Sequence, residues 1–375
     1  MSIAAGLGEG RWSFAARCDG RDTLSYYYAA RGALDGLSPY DGIALYYHFG
    51  RIPLFVYPVF ALPPLLPLAL FDEATALALF ALLHVAGLAG LVALWRRAVP
   101  VDWRLLALLL PVGLGAAAVH NVCSGNVVTF EALALLAGLL ALWRGRIGRF
   151  ALWTVLAAAP KLLWLALLPL ALLRDRAAWR LPALALLGFI VALAAWGLLW
   201  RDGLEGWLFN LRGTSRIRYS VFTLLRDLDH WAGGGAGGPL LQRWESWGYA
   251  LWLALIGLVL AVLVRRGLPL RSACLFAPLT LLAAWPANLS YSWLAALPAA
   301  AAAVFFLAAQ GRRLLALVMA VLLVLPQPVF DWAGLGERFG QGTLATVLAF
   351  WLVFAGLMLR CPRALERWLE GAQAH

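Results

Sequence analysis

The run 74–97, ATALALFALLHVAGLAGLVALWRR, decides the class of fold. From Ala74 to Trp95 it is overwhelmingly apolar, and a bilayer core takes roughly 20 such residues as one helix. It therefore reads as a full-length transmembrane helix. Arginines flanking a span mark its cytoplasmic end, so Arg96 and Arg97 make this helix run inward and leave everything before it outside.

Composition agrees with that reading. The 375 residues are 63% hydrophobic and 13% charged, with a mean hydropathy of +0.81, well outside soluble usage. A water-soluble domain is excluded. The net charge of +11 could suggest nucleic acid, but the arginines sit in short clusters between apolar runs rather than along one face. That is the positive-inside pattern, and no nucleic-acid partner is expected. Lys161 is the only lysine. Cys18, Cys123, Cys274 and Cys361 show neither metal nor disulfide spacing and receive no role.

Working outward from the first span, each apolar run must alternate sides. Upstream, Ile52 to Phe71 carries five prolines, too many for one straight span, and reads as a broken segment in the outer leaflet. Downstream, Leu105–Val119 goes out and Val127–Trp143 returns to Arg144, Arg146 and Arg149. Phe150–Leu173 has arginines at both ends, which favours two half-helices with Pro160-Lys161 at the tip. Leu181–Trp200 goes out to an external loop at 201–246, and Trp247–Val264 returns. Cys274–Trp285, Trp293–Gln310, Leu314–Trp332 and Leu344–Leu359 complete the alternation. The expected fold is an all-α polytopic membrane bundle of about ten transmembrane elements in a single domain, 1–375. Residues 1–71 form its external N-terminal part, 74–359 the bundle and 360–375 a cytoplasmic tail. Tryptophans at run ends, such as Trp95, Trp143, Trp200, Trp247 and Trp332, suit interfacial anchors.

The polar stretch 21–41, RDTLSYYYAARGALDGLSPYD, stands apart from this apolar background. It reads as one short helix with Asp22 as N-cap, Tyr26 one turn below it, and Gly36 and Ser38-Pro39 as the stop. An Asp ahead of a helix is most often only a cap. The run D-x-x-x-Y-Y-x-A-A-R from Asp22 to Arg31, then Gly36, Ser38, Pro39 and Tyr40, then Tyr57, Pro58 and Phe60, resembles the first external loop of the family 87 membrane glycosyltransferases. These are polyprenyl-phosphate-mannose-dependent enzymes of the GT-C fold. The resemblance implies that Asp22 is the catalytic base. It also implies a membrane helix ahead of this loop, which residues 1–21 do not supply. Either the chain begins outside or the true start lies upstream of Met1, and the second is favoured.

Further polar groups gather on the predicted outer face. His120, Asn121, Ser124, Gly125 and Asn126 lie in HNVCSGN, read as a turn between spans that loosely resembles the family's G-Q-x-N element; a plain capping turn is the alternative. Glu131, inside the next helix, is expected to pair with an arginine or to bind a sugar hydroxyl. Lys161 resembles the family lysine at the break of the same helix pair, which implies contact with the donor phosphate. A cation in membrane sequence with no adjacent acid needs an anion or water, and snorkelling to an interface competes. Arg216 and Arg218, on the external loop, suit phosphate or a merely solvated loop. Asn288 and Tyr291 stand where the family carries histidines, which leaves the acceptor undetermined.

Transfer from a lipid-phosphate sugar needs little more. The leaving group is a phosphate stabilised by fixed cations, and the acceptor hydroxyl needs one base. A single base opposite the donor implies inversion, whereas a retaining hydrolase shows two carboxylates flanking the bond. The parts are Asp22 as base, Lys161 with Arg216 and Arg218 as phosphate cradle, and Tyr26, Tyr57, His120, Asn126, Asn288 and Tyr291 around the substrate. No cofactor and no metal are expected, although Asp19 and Asp22 could share a cation. The resemblance implies a monomer in the bacterial inner (plasma) membrane, working on its periplasmic or exterior face. Its partners would be a polyprenyl-phosphate sugar, mannose by the family's habit, a lipid or glycan acceptor, and the surrounding membrane lipids. A transporter, or a flippase or ligase for lipid-linked glycans, is the alternative; the gathering of polar groups at one face argues against the transporter.

Overall fold

The computed structural model describes residues 20–51, 55–213, 239–284, 290–324 and 339–371. Every regular element among them is helical. Two short helices, α1 (Arg21–Leu34) and α2 (Gly42–Phe49), precede a proline-broken passage of 3-10 turns at Val59–Ala61 and Pro63–Leu70. Asp72 then caps α3 (Glu73–Ala98) by accepting from the Thr75 amide at 3.0 Å, as an N-cap aspartate does. The predicted first span is therefore present, with both arginines in its last turn.

Next come α4 (Trp103–Leu109), α5 (Gly113–Ser124), α6 (Val128–Trp143) and α7 (Ile147–Ala158). The run 105–119 is thus two short helices rather than one span. Pro111 cannot donate to a helix ladder, and Leu114 takes a positive φ of 46° beside the break. After α7 the chain turns at Pro160-Lys161 and comes back as a 3-10 segment, Leu162–Leu170, and α8 (Ala171–Arg174). The Arg174 guanidinium returns to the side of Gly145, where α7 began. The expected pair of half-helices is formed, with Lys161 at its tip.

The chain continues through α9 (Arg180–Leu199), α10 (Arg201–Gly213), α11 (Pro239–Arg265), α12 (Leu270–Ala284), α13 (Leu297–Ala309), α14 (Arg313–Val324), α15 (Phe339–Arg360) and α16 (Pro362–Glu370). The stretch 201–246 is helical at both ends and not simply a loop. The tail is not featureless either, since α16 buries Leu365 and Leu369 and lies bent by 102° to the helix before it. Four helices are long and apolar enough to cross a membrane, Glu73–Ala98, Arg180–Leu199, Trp247–Arg265 and Ser292–Ala309. The bent pair at the C-terminus makes a fifth if taken as one, and the other apolar runs are shorter helices.

Between helices in lipid, close approach of backbones replaces the hydrophobic effect as the driving term. The sequence supplies it with Ala299–Ala303 of α13, each 2% exposed or less. Trp95 and Trp143 are likewise buried, at 0% and 6% exposure. They pack inside the bundle rather than anchor it at an interface, whereas Trp247 is exposed as an anchor would be.

A second, smaller core joins buried residues between Tyr26 and Phe80 to α9 and α10. The Tyr26 ring meets Phe55, Tyr57 and Phe80 edge-on at 6.5, 5.5 and 5.9 Å between centroids, the geometry aromatic quadrupoles favour. Arg31 donates to the Ala69 carbonyl at 2.9 Å and Tyr27 to that of Phe71 at 3.0 Å. These bonds pin α1 across the proline-rich turns, whose carbonyls have no complete ladder of their own.

Candidate active site

Asp22 lies inside the first turn of α1 rather than at its N-cap. Gly20 holds the cap position with φ 62°, a left-handed conformation that a side chain disfavours, and its amide donates to the Cys123 carbonyl at 3.0 Å. The Asp22 carboxylate is therefore released from capping. It turns instead to Asn126, whose Nδ2 donates to Asp22 Oδ2 at 2.7 Å. The same nitrogen donates to the Tyr57 hydroxyl at 3.0 Å. Asn126 Oδ1 is occupied by the Val128 amide at 3.1 Å, which fixes the amide with its amino group toward the acid.

Around this contact the partners are buried. Tyr26 donates to the Tyr57 hydroxyl at 3.0 Å and accepts from the Val127 amide at 3.4 Å. Tyr57 thus accepts two bonds, and its own proton has no acceptor among the described residues. Tyr26 and Tyr57, 1% and 6% exposed, both lie inside the ring cluster. Gly125, at φ 70°, makes the turn into α6 possible: a Cβ there would fall 1.7 Å from Thr23 Oγ1. Only the end of HNVCSGN is a turn, because His120 to Ser124 continue α5. His120 sits half-buried within that helix.

Burial raises the Asp22 pKa above its usual value. The Asn126 amide, Ser124 and the charges of Arg21 and Lys161 oppose that shift without cancelling it. Lys161 is thus near enough for the two charges to act on one another. Its Nζ stands 3.5 Å from Glu131 Oε2 and donates to Ser292 Oγ at 3.4 Å. Glu131 is almost wholly enclosed while the Lys161 side chain keeps a quarter of its surface exposed. The Trp164 indole also donates to Glu131 Oε2, at 3.2 Å. The lysine therefore does have an acid beside it, and Glu131 pairs with a lysine rather than an arginine. Spacing could not show this, since the two residues meet only when α6 and α7 fold into a hairpin.

Three partners went unnoticed in the sequence. His84, fully buried on α3, places Nε2 at 2.7 Å from the Asn126 carbonyl oxygen and Nδ1 at 3.0 Å from that of Phe80. A single ionisable residue within a spanning helix is the signal that would have found it. On α10, Asn210 donates to the carbonyls of Tyr40 and Phe55 at 3.3 and 3.2 Å, and Trp207 to that of Val56 at 2.9 Å. They hold the backbone on which Tyr57 sits. Cys123 is disulfide-bonded, a role its spacing did not suggest, while Cys274 and Cys361 are free.

The predicted residues Asp22, Tyr26, Tyr57 and Asn126 are thus one hydrogen-bonded group, and Lys161 lies at the same end of α6. Arg216, Arg218, Asn288 and Asp19 lie outside the described residues. Tyr291 belongs to the 3-10 segment Ser290–Ala296 by its backbone, next to the serine that contacts Lys161.

No curated protein and no solved structure matches the chain. The sequence profile of glycosyltransferase family 87 matches residues 55–271. That span takes in Tyr57, Asn126, Glu131 and Lys161; Asp22 lies ahead of it and joins the group through its bond to Asn126. With more than half of its length matched and its buried polar groups gathered at one end of α6, the chain belongs to glycosyltransferase family 87.

Proposed function

We propose that this membrane glycosyltransferase moves a single sugar, mannose by the family's habit, from a polyprenyl-phosphate donor to a hydroxyl of a lipid or glycan acceptor. Asp22 takes the acceptor proton as the acceptor oxygen bonds to the anomeric carbon. The carbon–oxygen bond to phosphate breaks, the phosphate monoester leaves against Lys161, and the sugar inverts. Arg216 and Arg218 extend the phosphate cradle, and the free proton of Tyr57 meets a sugar oxygen.

The observation that carries this reading is that one carboxylate hydrogen-bonded by neutral groups and one lysine whose side chain keeps a quarter of its surface exposed lie within electrostatic reach. A base needs a raised pKa and an ionised form that is not already paired; a leaving phosphate needs a fixed cation. The disulfide at Cys123, three residues from Asn126, suits an oxidising compartment and so the outer face of the inner membrane. The arrangement belongs with a GT-C bundle of about ten spanning elements acting as a monomer, to which the long and short apolar helices are suited.

The test is to incubate the purified protein and membrane lipid extract with radiolabelled polyprenyl-phosphate mannose, glucose and arabinofuranose in parallel. Transfer from the mannose donor is expected. Transfer from another carrier alone would replace the sugar, and transfer from none, with donor binding absent, would overturn the proposal.

A further inference from the structure

The far end of the α6–α7 hairpin carries a second cluster that sugar transfer does not use. The turn between the helices is tight: Gly145, at φ 73°, donates to the Leu142 carbonyl, and the Arg146 amide donates to that of Ala141, both at 2.9 Å. This closes the end of α6 and fixes the backbone from which Arg144 and Arg146 project. One turn into α7 stands Arg149. These three line a cavity of about 150 Å³ whose other walls include Leu94, Leu140 and Trp153.

None of the three guanidinium groups has an ion pair or side-chain hydrogen bond among the described residues. The acids nearest in sequence are engaged elsewhere. Asp102 accepts from the Arg104 amide at 2.9 Å, and Asp175 from that of Ala177 at 2.8 Å, each at the start of its own helix. Glu131, the acid on α6, is at the opposite end. Arg174 adds a further cation beside Gly145. Topology alone asks for arginines in this loop, but it does not ask for three of them around a void with an apolar wall.

We propose that this cavity binds the headgroup of an anionic phospholipid. Guanidinium groups hold phosphate oxygens in a fork geometry, and basic pockets between spanning helices are where such headgroups bind. Free phosphate would need no apolar wall. Here the cavity opens beside Trp153, 38% exposed, and the outward leucines Leu152 and Leu156, 57% and 49% exposed, which continue as a surface for an acyl chain. The 16-residue α6 sets this site about 24 Å from the Asp22 end, so the lipid is not the donor in its transfer position.

The test uses the full chain in detergent, with added phosphatidylglycerol, phosphatidylcholine or inorganic phosphate, read by melting temperature and by lipid retained in native mass spectrometry. Phosphatidylglycerol is expected to raise the melting temperature and to be retained, and the other two are not. The triple variant R144Q/R146Q/R149Q is expected to weaken that retention by about a hundredfold, each arginine near a lipid phosphate contributing a severalfold factor. Single Arg146→Gln, which keeps most of the cluster, covers the case of a poorly folding triple variant and is expected to lose about fivefold. Equal stabilisation by phosphatidylcholine, equal stabilisation by phosphate, or undiminished retention in both variants would each overturn the site.

Discussion

Two carboxylates lie at the same end of α6, and their surroundings differ in kind. Asp22 is held by a neutral amide, Asn126, and feels Arg21 and, more weakly, Lys161 as charges without a direct contact to Lys161. Glu131 is in direct contact with that lysine and with an indole. A carboxylate against an ammonium is committed to its pair, because its charge is what keeps the partner's charge inside the protein. One held by neutral donors can take a proton without stranding a cation. The contrast supports the proposal that the first transfers the proton while the second holds Lys161.

The sharpest way to break this contrast is to neutralise each acid in turn. Asp22→Asn is expected to lower kcat by about 10²- to 10⁴-fold while the melting temperature does not fall, since the substitution removes a charge that burial disfavours. The pH profile carries the same information. A base works only when ionised, so activity is lost as pH falls through the Asp22 pKa. Burial places that limb above the ordinary carboxylate range, and kcat measured down to the acid side should show it. A wild-type rate in Asp22→Asn would remove the base from the proposal.

Gly125→Ala attacks the geometry that brings the two regions together. The new methyl would meet Thr23 in a left-handed turn, and a loss of about 3 kcal/mol in stability is expected, read by denaturation. Glu131→Gln comes next. It leaves a partly exposed lysine without its acid, so a stability loss of about 2 kcal/mol is expected, with kcat falling far less than in Asp22→Asn. A larger fall in kcat for Glu131→Gln would reverse the two assignments. Tyr57→Phe should have the smallest effect, about 1 kcal/mol in donor binding, measured as a severalfold rise in KM.

Much of the fold was legible because membrane helices announce themselves by length and by flanking arginines. The first span, α6, α9 and the broken pair at Lys161 all lie close to where hydropathy puts them. The breaks were harder. The run 105–119 is apolar enough for one helix, and only Pro111 hinted otherwise. In the site, Asp22, Tyr26 and Tyr57 were singled out by the resemblance of their loop to the family's, Asn126 by its polar turn, and Lys161 as a lone cation in apolar sequence. Their partners were not: Asn126 is 104 positions from Asp22 and Ser292 is 131 from Lys161. No local period encodes such distances. The N-cap assignment failed for a related reason, since Gly20 gained its place from a bond to Cys123 that only the folded chain supplies.

The grip of α10 on the backbone around Tyr57 has a mechanical meaning. Trp207 and Asn210 hold the carbonyls of Val56 and Phe55, the two residues just before that tyrosine. A tug on the end of α10 is therefore transmitted within two peptide units to the hydroxyl proposed to greet the sugar. Late-encoded and early-encoded parts of the polypeptide are tied together at this point.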